Sequence, residues 1–237
     1  MAEDAVRRRQ GALASLANPF DDLARKLGDR PVRGIIDAGA ARGSVSRLFA
    51  SRFPDTPILA IDPNPDRRDD LQRLEASLAN VEYCPVALGR EPGRLSFHRT
   101  EDPNGASLLP PLSNRDGRVE INVKAVEEVE VTSLDALCEA KGFVPEIVKL
   151  DLQGNERDAI LGAERSLREQ ARAVHIEALF EPLYEGASPF AELDGLLREM
   201  GFGLFQFYET NNDPDGRLMW ADAVYFRGLG EAKRPSR

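Results

Sequence analysis

The chain has 237 residues, of which 42% are hydrophobic, and a formal net charge of −9 at pH 7. This length and composition predict one globular domain with a sizeable core. The acidic balance argues against a protein that binds nucleic acid mainly through its phosphates, because such proteins are usually basic. Two basic clusters lie near the termini, at residues 6–10 and 231–237, where short charged tails are usually solvated.

The sequence shows no clear pattern for a signal peptide, a membrane span or a disulfide framework. The N-terminal residues have no apolar core of signal-peptide length, and no apolar run is long enough to span a bilayer. Cys84 and Cys138 are too few for a disulfide framework and lie in apolar-patterned segments, which indicates buried free thiols. We therefore expect a cytoplasmic protein with no membrane association.

The first half of the chain alternates between helix and strand patterns. Apolar residues at helical spacing between Ala5 and Leu27, among them Leu13 and Leu16, predict a helical arm over about residues 1–30. Alternation of short apolar strands with longer helices then predicts a parallel sheet flanked by helices. The segments are "GIIDAG", "SVSRLFASRF", "PILAID", "PDRRDDLQRLEASLAN" and "VEYCPVAL".

An insertion over about residues 89–131 interrupts this alternation. It contains two candidate antiparallel strands, "GRLSFHR" and "AVEEVEV", around the Pro- and Gly-rich loop "TEDPNGASLLPPLSNRDG". Long loops of this kind in compact domains are often functional. The helix "TSLDALCEAKGF" follows, with Ser133 or Thr132 as its N-cap.

The alternation resumes with "EIVKLDLQG", "NERDAILGAERSLREQ", "RAVHIEALF" and "SPFAELDGLLREMGF", the last with Ser188 as cap and Pro189 in its first turn. The final strands "GLFQFYE" and "WADAVYFRG" are joined by a turn and must pair antiparallel. We predict an α/β fold with a doubly wound, mostly parallel seven-stranded sheet and a C-terminal antiparallel hairpin. This domain covers about residues 31–230, followed by a flexible tail, and its ligand site lies at the carboxyl ends of the strands.

The end of the first strand carries the clearest ligand signal. Asp37 ends that strand, and Gly39 and Gly43 bracket the turn into the next helix, whose first N–H groups are free. Asp62 ends the second strand, where an acid can accept hydrogen bonds from both hydroxyls of a ribose; capping the next helix is its alternative role. The turn lacks the G-x-G-x-x-G order of dinucleotide sites, and Asp37 would suit an ammonium or a sulfonium. S-adenosylmethionine has an ammonium, a sulfonium and a ribose diol, so these residues favour a methyltransferase.

A longer resemblance supports this interpretation. The segments "IIDAGAARGSVSRLFA", "AIDPNP", "VALG", "NGASLLP", "VTSLDAL", "VKLDLQGNERDAILGA" and "HIEALFEPLYEGASPFAEL" follow one another in this order. In this order, from about Arg33 to Arg227, the chain resembles the FkbM family of S-adenosylmethionine-dependent methyltransferases, which have the class I methyltransferase fold. Ala41 stands where the family often has asparagine, Asp62 where glutamate is commoner, and Gln153 where glutamate or glutamine occurs. The resemblance implies O-methylation of a hydroxyl, often on a sugar or a natural-product scaffold.

The predicted cofactor contacts follow from the strand ends and these segments. They come from Asp37, Gly39, Ala40, Gly43, Asp62, Pro63, Asn64, Val86, Ala87 and Asp151.

The candidate catalytic residues lie at the ends of the fourth and fifth strands. Asp151 is at a strand tip, and His175 and Glu177 are two residues apart and share one face. Any of the three could accept the hydroxyl proton, whereas helix capping by Asp151 and a satisfied polar pair on the strand are the structural alternatives. With Glu181 they could also assemble a magnesium or manganese site, but no metal spacing is present, so we predict none.

The predicted acceptor walls are the insertion loop and the segment after the fifth strand. Ser107, Gln153, Phe180 and Tyr184 are the candidates, although the two aromatic residues could equally belong to the core. The N-terminal arm could close over the cofactor or form a homodimer contact. A nicotinamide-dependent oxidoreductase is disfavoured by the turn and by the lack of a Tyr-x-x-x-Lys pair. A binding module without transfer activity would also fit the sequence, as would an enzyme that methylates a nitrogen or a protein side chain.

Overall fold

The computed structural model describes residues 18–112 and 120–229 of the chain. The N-terminal part of the predicted arm, including Leu13 and Leu16, and the predicted tail 231–237 lie outside the described residues. The strands are β1 (Ile35–Ala38), β2 (Ile58–Ile61), β3 (Val81–Cys84), β4 (Ala87–Leu88), β5 (Gly93–Thr100), β6 (Val123–Thr132), β7 (Ile147–Leu150), β8 (Ala173–Leu179), β9 (Phe202–Asn212) and β10 (Leu218–Arg227).

Seven of these strands form one sheet in the order β3-β2-β1-β7-β8-β10-β9. Neighbours from β3 to β8 pair parallel, whereas β10 pairs antiparallel with both β8 and β9. The predicted mostly parallel sheet with a C-terminal antiparallel hairpin is confirmed. The chain order reverses between β1 and β7, and the crevice at such a reversal is where open α/β sheets bind ligands.

Helices cover both faces of this sheet. One face packs against α1, α2 and α3, the other against α4 to α7, and buried strand residues alternate between the two cores. Because helices cover both faces, residues of the central strands are buried in succession and are mostly apolar, rather than alternating between buried and exposed. The helices are α1 (Pro19–Leu27), α2 (Ser44–Arg52), α3 (Arg68–Ser77), α4 (Leu134–Lys141), α5 (Glu156–Leu161), α6 (Glu164–Glu169) and α7 (Phe190–Glu199).

The helix ends agree with the predictions in one case and differ in two. Ser133 caps α4, since its side chain accepts a hydrogen bond from the Ala136 amide at 3.2 Å. Pro189, not Ser188, occupies the N-cap position of α7. The single helix predicted over 155–170 is two helices, because the chain turns at Gly162, where a Cβ atom would lie only 2.1 Å from the Gly89 carbonyl oxygen.

The third predicted strand is divided between two sheets. Pro85 has no N–H to donate and separates β3, in the large sheet, from β4. β4 pairs parallel with β6, which also pairs antiparallel with β5, so the insertion forms a three-stranded sheet of its own. The two antiparallel strands predicted in the insertion are thus confirmed.

The described part of the N-terminal arm is docked on the domain. Asn18 caps α1 by accepting from the amides of Phe20 and Asp21 at 2.9 and 3.2 Å. Phe20, Leu23 and Leu27 are buried in the core under β1 and β8. Among the described residues, no helix is long and apolar enough to cross a membrane.

Both cysteines are free and buried, as predicted. Burial raises the pKa of the Cys84 thiol to about 11 and that of Cys138 to about 12. Both therefore remain protonated thiols near neutral pH.

Candidate active site

The turn after β1 brings the tips of three strands together. Gly39 has a φ of 75° and lies so close to β7 that a Cβ atom would stand 1.8 Å from the Asp151 carbonyl oxygen. The amides of Gly39 and Ala40 both donate to the Ile61 carbonyl of β2, at 2.9 and 3.1 Å. The turn is therefore a rigid junction between β1, β2 and β7, and glycine is required at its first position.

Asp62, at the end of β2, organises the same junction. Its Oδ2 accepts from the Ala41 amide and its Oδ1 from the Asn64 amide, each at 2.8 Å. Burial raises the pKa of Asp62, although these two hydrogen bonds oppose the shift. The next turn is capped by Asn64, which accepts from the Asp66 amide at 3.0 Å. Asp62 is thus not the helix cap, and each of its oxygens keeps acceptor capacity for a ligand.

A pocket opens where these strand tips meet, and we call it the glycine-turn pocket. Its walls are mainly apolar, and two carboxylates, Asp62 and Asp151, line it. Six of the ten predicted cofactor residues contribute. The lining residues are Gly39, Ile61, Asp62, Pro63, Val86, Ala87, Leu88, Phe97, Ala106, Ser107, Leu108, Asp151, Leu152 and Asn155.

Four predicted cofactor residues do not line this pocket: Asp37, Ala40, Gly43 and Asn64. Asp37 is fully buried, and its Oδ2 accepts from the Ser46 hydroxyl at 2.6 Å. Its Oδ1 makes no hydrogen bond and lies 3.5 Å from Lys149 Nζ. The ammonium beside Asp37 is thus the protein's own lysine, which corrects the expectation that Asp37 meets the cofactor directly.

Lys149 connects Asp37 to the pocket. It is the register partner of Asp37 on β7, and its Nζ lies 3.2 Å from Asp151 Oδ2 and 3.4 Å from the Gly39 carbonyl oxygen. Burial lowers the pKa of Lys149, but the carboxylates of Asp151 and Asp37 outweigh this effect and raise it. A charged lysine between two carboxylates therefore fixes the position of Asp151 at the pocket.

Gln153 joins the residues around the second candidate site. Its Nε2 donates to Asp151 Oδ1 at 2.9 Å and to Glu177 Oε2 at 2.8 Å. Its Oε1 lies 2.8 Å from the Tyr184 hydroxyl, which donates to it. Gln153 also has a φ of 54°, a left-handed conformation that is uncommon for a side-chain-bearing residue and is often found at functional sites.

Two buried side chains hold the Gln153 loop in this conformation. Glu156 Oε1 accepts from the amides of Leu152 and Gly154 at 2.7 and 3.3 Å, and burial raises the pKa of Glu156 to about 7. The Ser107 hydroxyl donates to the Gln153 carbonyl at 2.8 Å. Ser107 is almost fully buried and lines the glycine-turn pocket, so the structure gives it an anchoring position rather than the predicted place in an acceptor wall.

A second pocket lies on the other side of Gln153, and we call it the Trp220 pocket. Gln153, Glu177 and Tyr184 were predicted from the sequence, as was a wall formed by the insertion loop, which contributes Asn104 and Gly105. Trp220 was not predicted, because only tertiary packing brings it here. The main-sheet side contributes Gln153, Glu177, Leu179, Leu183, Tyr184 and Trp220, and the insertion side Thr100, Glu101, Asp102, Asn104, Gly105, Glu120, Ile121 and Asn122.

Of the three candidate catalytic residues, Glu177 is the one that lines the Trp220 pocket. Burial raises its pKa well above the usual carboxyl range, and the nearby Asp151 and Glu156 add to the shift. The Gln153 amide supplies a hydrogen bond to the charged form. A carboxylate with a raised pKa, held beside a pocket, can take a proton from an acceptor.

His175 lies outside both pockets. Only 1% of it is exposed, its Nε2 lies 3.0 Å from Asp222 Oδ2, and the Phe20 ring of α1 packs edge-on at 6.0 Å between centroids. Burial raises the pKa of Asp222, but the His175 imidazole beside it outweighs this effect and lowers the pKa. His175 shares a face with Glu177, as predicted, yet α1 covers it, so it is not placed to act as the base.

Phe180 also lies outside both pockets. Its ring packs 5.1 Å from Phe190 and 5.6 Å from Phe207, between centroids. These three rings form a cluster between β8, α7 and β9, so the predicted substrate contact is replaced by core packing.

The structure does not support the alternative of a magnesium or manganese site among the described residues. Glu181 is paired with Arg217. Within residues 18–112 and 120–229, no group of three or more His, Cys, Asp or Glu side chains is arranged to hold a metal ion.

Comparisons with known proteins agree with this architecture. A family model described as "Methyltransferase FkbM domain" matches residues 37–204. Methyltransferase 1 of Beauveria bassiana (strain ARSEF 2860) is 26% identical over 184 residues, which is 72% of each chain. Methyltransferase sdnD of Sordaria araneosa is 26% identical over 198 residues, covering 72% of this chain and 73% of the other.

The fold has a counterpart among solved structures. The crystal structure of an FkbM methyltransferase from Methylobacillus flagellatus KT is similar over 90% of this chain with a TM-score of 0.55 and 16% identity. The similarity covers 49% of that protein, so the present chain spans about half of its length. The expected class I methyltransferase fold is thereby confirmed.

Proposed function

Because the chain belongs to the FkbM methyltransferase family, we propose that it moves a methyl group from S-adenosylmethionine to a hydroxyl of a small molecule, a sugar or a natural-product scaffold. One observation carries this proposal: the Gln153 amide joins a carboxylate of the glycine-turn pocket, Asp151, to one of the Trp220 pocket, Glu177. This arrangement suits a reaction in which two bound molecules meet between the pockets.

S-adenosylmethionine is the expected cofactor, and the residues of the glycine-turn pocket fit it. Asp62 has free acceptor capacity at the end of β2, where a ribose diol would bind. The apolar walls, among them Phe97 and Leu108, suit an adenine, and the missing side chain of Gly39 leaves the backbone open to close approach. Asp151 contributes negative charge for the amino-acid or sulfonium end.

The chain's own residues then have to align the acceptor and take its proton. When bound, the cofactor supplies a methyl group that is already activated on sulfur, so alignment and exclusion of water are the main requirements. Glu177 accepts the hydroxyl proton, and the Gln153 amide holds Glu177 in place. Tyr184 orients the Gln153 side chain through its hydroxyl. Asp151 is held beside the glycine turn by its ion pair with Lys149.

The alternatives differ in what they need from Glu177. Methylation of a neutral amine does not require a base of this kind, and a binding module that has lost transfer requires none. The left-handed conformation of Gln153 and its hydrogen bond to Glu177 favour an active O-methyltransferase. A cytoplasmic location, the absence of nucleic-acid partners and a homodimer contact through the N-terminal arm stay predictions from the sequence.

The test is a calorimetric titration with S-adenosylhomocysteine, with NAD as the control ligand. We expect the first to bind and the second not to. Asp62→Asn places an amide N–H against the Ala41 or Asn64 amide and weakens binding about ten- to a hundredfold. Asp69→Asn, in the first turn of α3 and outside the pocket, is the matched control. Binding of NAD alone, or of neither ligand, would contradict the proposal.

A further inference from the structure

Among the described residues, the charged side chains that line the Trp220 pocket are all negative. Four carboxylate side chains line it, and no lysine or arginine does so among the residues that the structure describes. Three carboxylates belong to the insertion wall, and the fourth is the candidate base on the opposite, main-sheet side. They are Glu101, Asp102, Glu120 and Glu177.

Three basic side chains near the pocket form ion pairs with acids that do not line it. Arg99 and Lys124 both pair with Asp66, and Arg217 pairs with Glu181. These pairings do not involve the carboxylates of the pocket wall. Within the described part of the chain, the pocket therefore presents its negative charge to whatever enters it.

Two carboxylates on the insertion side of the pocket, those of Glu101 and Glu120, lie next to the neutral side chain of Asn122. The Glu101 amide donates to the Asn122 carbonyl at 2.9 Å, which fixes the two segments side by side. The Asn122 side-chain nitrogen then lies 3.4 Å from a Glu101 carboxylate oxygen and 3.3 Å from one of Glu120. Like charges held this close repel each other, and a ligand cation would remove that repulsion.

Trp220 is a second and independent feature of the same pocket. It is the single tryptophan of the chain and lies on β10 opposite Leu179 of β8. Among the aromatic contacts of the described residues, none involves its ring. The face of an indole attracts ammonium groups, and an aromatic face beside carboxylates is typical of sites that bind organic cations.

We propose that the acceptor carries an ammonium group in addition to its reacting hydroxyl, as an amino sugar or an amino alcohol does. The ammonium binds between Trp220 and the carboxylates of Glu101 and Glu120, and the hydroxyl lies at Glu177. This inference rests on the proposed function and names its substrate class. Phosphorylated and carboxylated acceptors are disfavoured, since the wall would repel them.

The charge of the pocket also determines which atom is methylated. A protonated amine has no lone pair, so a wall that keeps the amine protonated prevents methylation at nitrogen. The hydroxyl oxygen forms the new bond to the methyl carbon as the bond from sulfur to that carbon breaks. The hydroxyl proton goes to Glu177, and the ammonium is unchanged.

The test compares glucosamine with N-acetylglucosamine, which lacks the charge, by calorimetry on protein saturated with S-adenosylhomocysteine. We expect glucosamine to bind about tenfold more tightly, and less so as salt is added. Glu101→Gln combined with Glu120→Gln should remove most of this preference, and Trp220→Leu should reduce it. Glu91→Gln, an exposed acid outside the pocket, is the matched control and should preserve it.

Several outcomes of these calorimetric measurements would overturn the inference. Equal binding of the two sugars, binding of neither, tighter binding of glucuronate, or a preference that survives the double substitution would overturn the inference. A magnesium ion that binds the wall and displaces glucosamine would overturn it too, in favour of a metal site. S-adenosylhomocysteine binding is measured first in every variant, so a failure of the proposed function appears separately, as loss of that binding in the unsubstituted protein.

Discussion

The side-chain nitrogen of Gln153 lies 2.8 Å from Glu177 Oε2. This amide opposes the effect of burial, which favours the neutral carboxyl and raises the pKa of Glu177. Glu177 therefore lines the Trp220 pocket with a raised pKa, which is the property that a proton acceptor in this pocket needs.

Replacement of Glu177 by glutamine should abolish most turnover. The change keeps an acceptor for the Gln153 amide but removes the base, so we expect kcat to fall about 10²- to 10⁴-fold. S-adenosylhomocysteine affinity should not change, because Glu177 does not line the glycine-turn pocket. Glu185→Gln, an exposed acid after β8, is the matched control. Turnover within about threefold of the unsubstituted protein would remove Glu177 from the mechanism.

The pH dependence should report the same group. Since the base acts in its deprotonated form, kcat should fall as the pH drops through the raised pKa of Glu177. The inflection should lie above the ordinary glutamate value of about 4.3. A rate that stays constant down to that ordinary value would argue against Glu177 as the base.

Stability should depend on pH in the opposite sense. A glutamate whose pKa is raised in the folded state contributes stability that is complete below its unfolded pKa and is lost as the pH rises through the folded value. The free energy of unfolding should therefore decline over this window, and Glu177→Gln should flatten the decline. Denaturant unfolding of both proteins across this pH range is the measurement. Parallel curves for the two proteins would mean that the Glu177 pKa is not raised by folding.

Gln153→Gly and Gln153→Ala form an informative pair. Both remove the amide that joins Asp151 to Glu177, so each should lose about ten- to a hundredfold in kcat. Glycine accepts a φ of 54° without strain and alanine does not, so the glycine variant should be more stable by about 1 kcal/mol in denaturant unfolding. A more stable alanine variant would mean that the left-handed conformation is not maintained.

Gly39→Ala should separate the tips of β1 and β7. The added Cβ would stand 1.8 Å from the Asp151 carbonyl oxygen, and backbone cannot yield as a flexible side chain can. We expect a loss of S-adenosylhomocysteine affinity of at least about a hundredfold and a lower Tm. Gly93→Ala, where a Cβ meets nothing within 4 Å, should leave both unchanged. Normal affinity in the Gly39 variant would show that this junction is not needed for binding.

His175→Gln separates a catalytic role of the histidine from a structural one. Because α1 covers His175, we expect kcat to stay within about threefold of the unsubstituted value. The free energy of unfolding should drop by about 1–3 kcal/mol, since the buried imidazole that packs against Phe20 is replaced by a side chain of different shape. A hundredfold loss of turnover at unchanged stability would restore His175 as a candidate base.

Strand ends were the most predictable part of the site. Asp62 and Asp151 each stand directly after a short, mostly apolar strand, and parallel strands place their carboxyl ends at one edge of the sheet. Both line the glycine-turn pocket. Gln153 and Glu177 were identified as candidates by the same reasoning and lie together.

Side-chain contacts between residues that are far apart in the sequence were not predictable. That Lys149 occupies the cation position beside Asp37 depends on the neighbour relation of β1 and β7, which the sequence does not state. That α1 covers His175 depends on helix docking, and that Trp220 faces the insertion depends on how two sheets pack. Such contacts join residues far apart in the chain, so local periodicity carries no signal for them.

β4 belongs to two parts of the protein at once. Its residues Ala87 and Leu88 wall the glycine-turn pocket and also pair with Val131 and Thr132 at the end of β6. If the insertion were replaced by that of a related protein, the new β6 would have to pair with β4 without displacing Ala87 and Leu88 from the glycine-turn pocket. In this protein, substitutions on the insertion side of the Trp220 pocket would leave β4 unchanged, whereas substitutions in β4 would also alter the wall of the glycine-turn pocket.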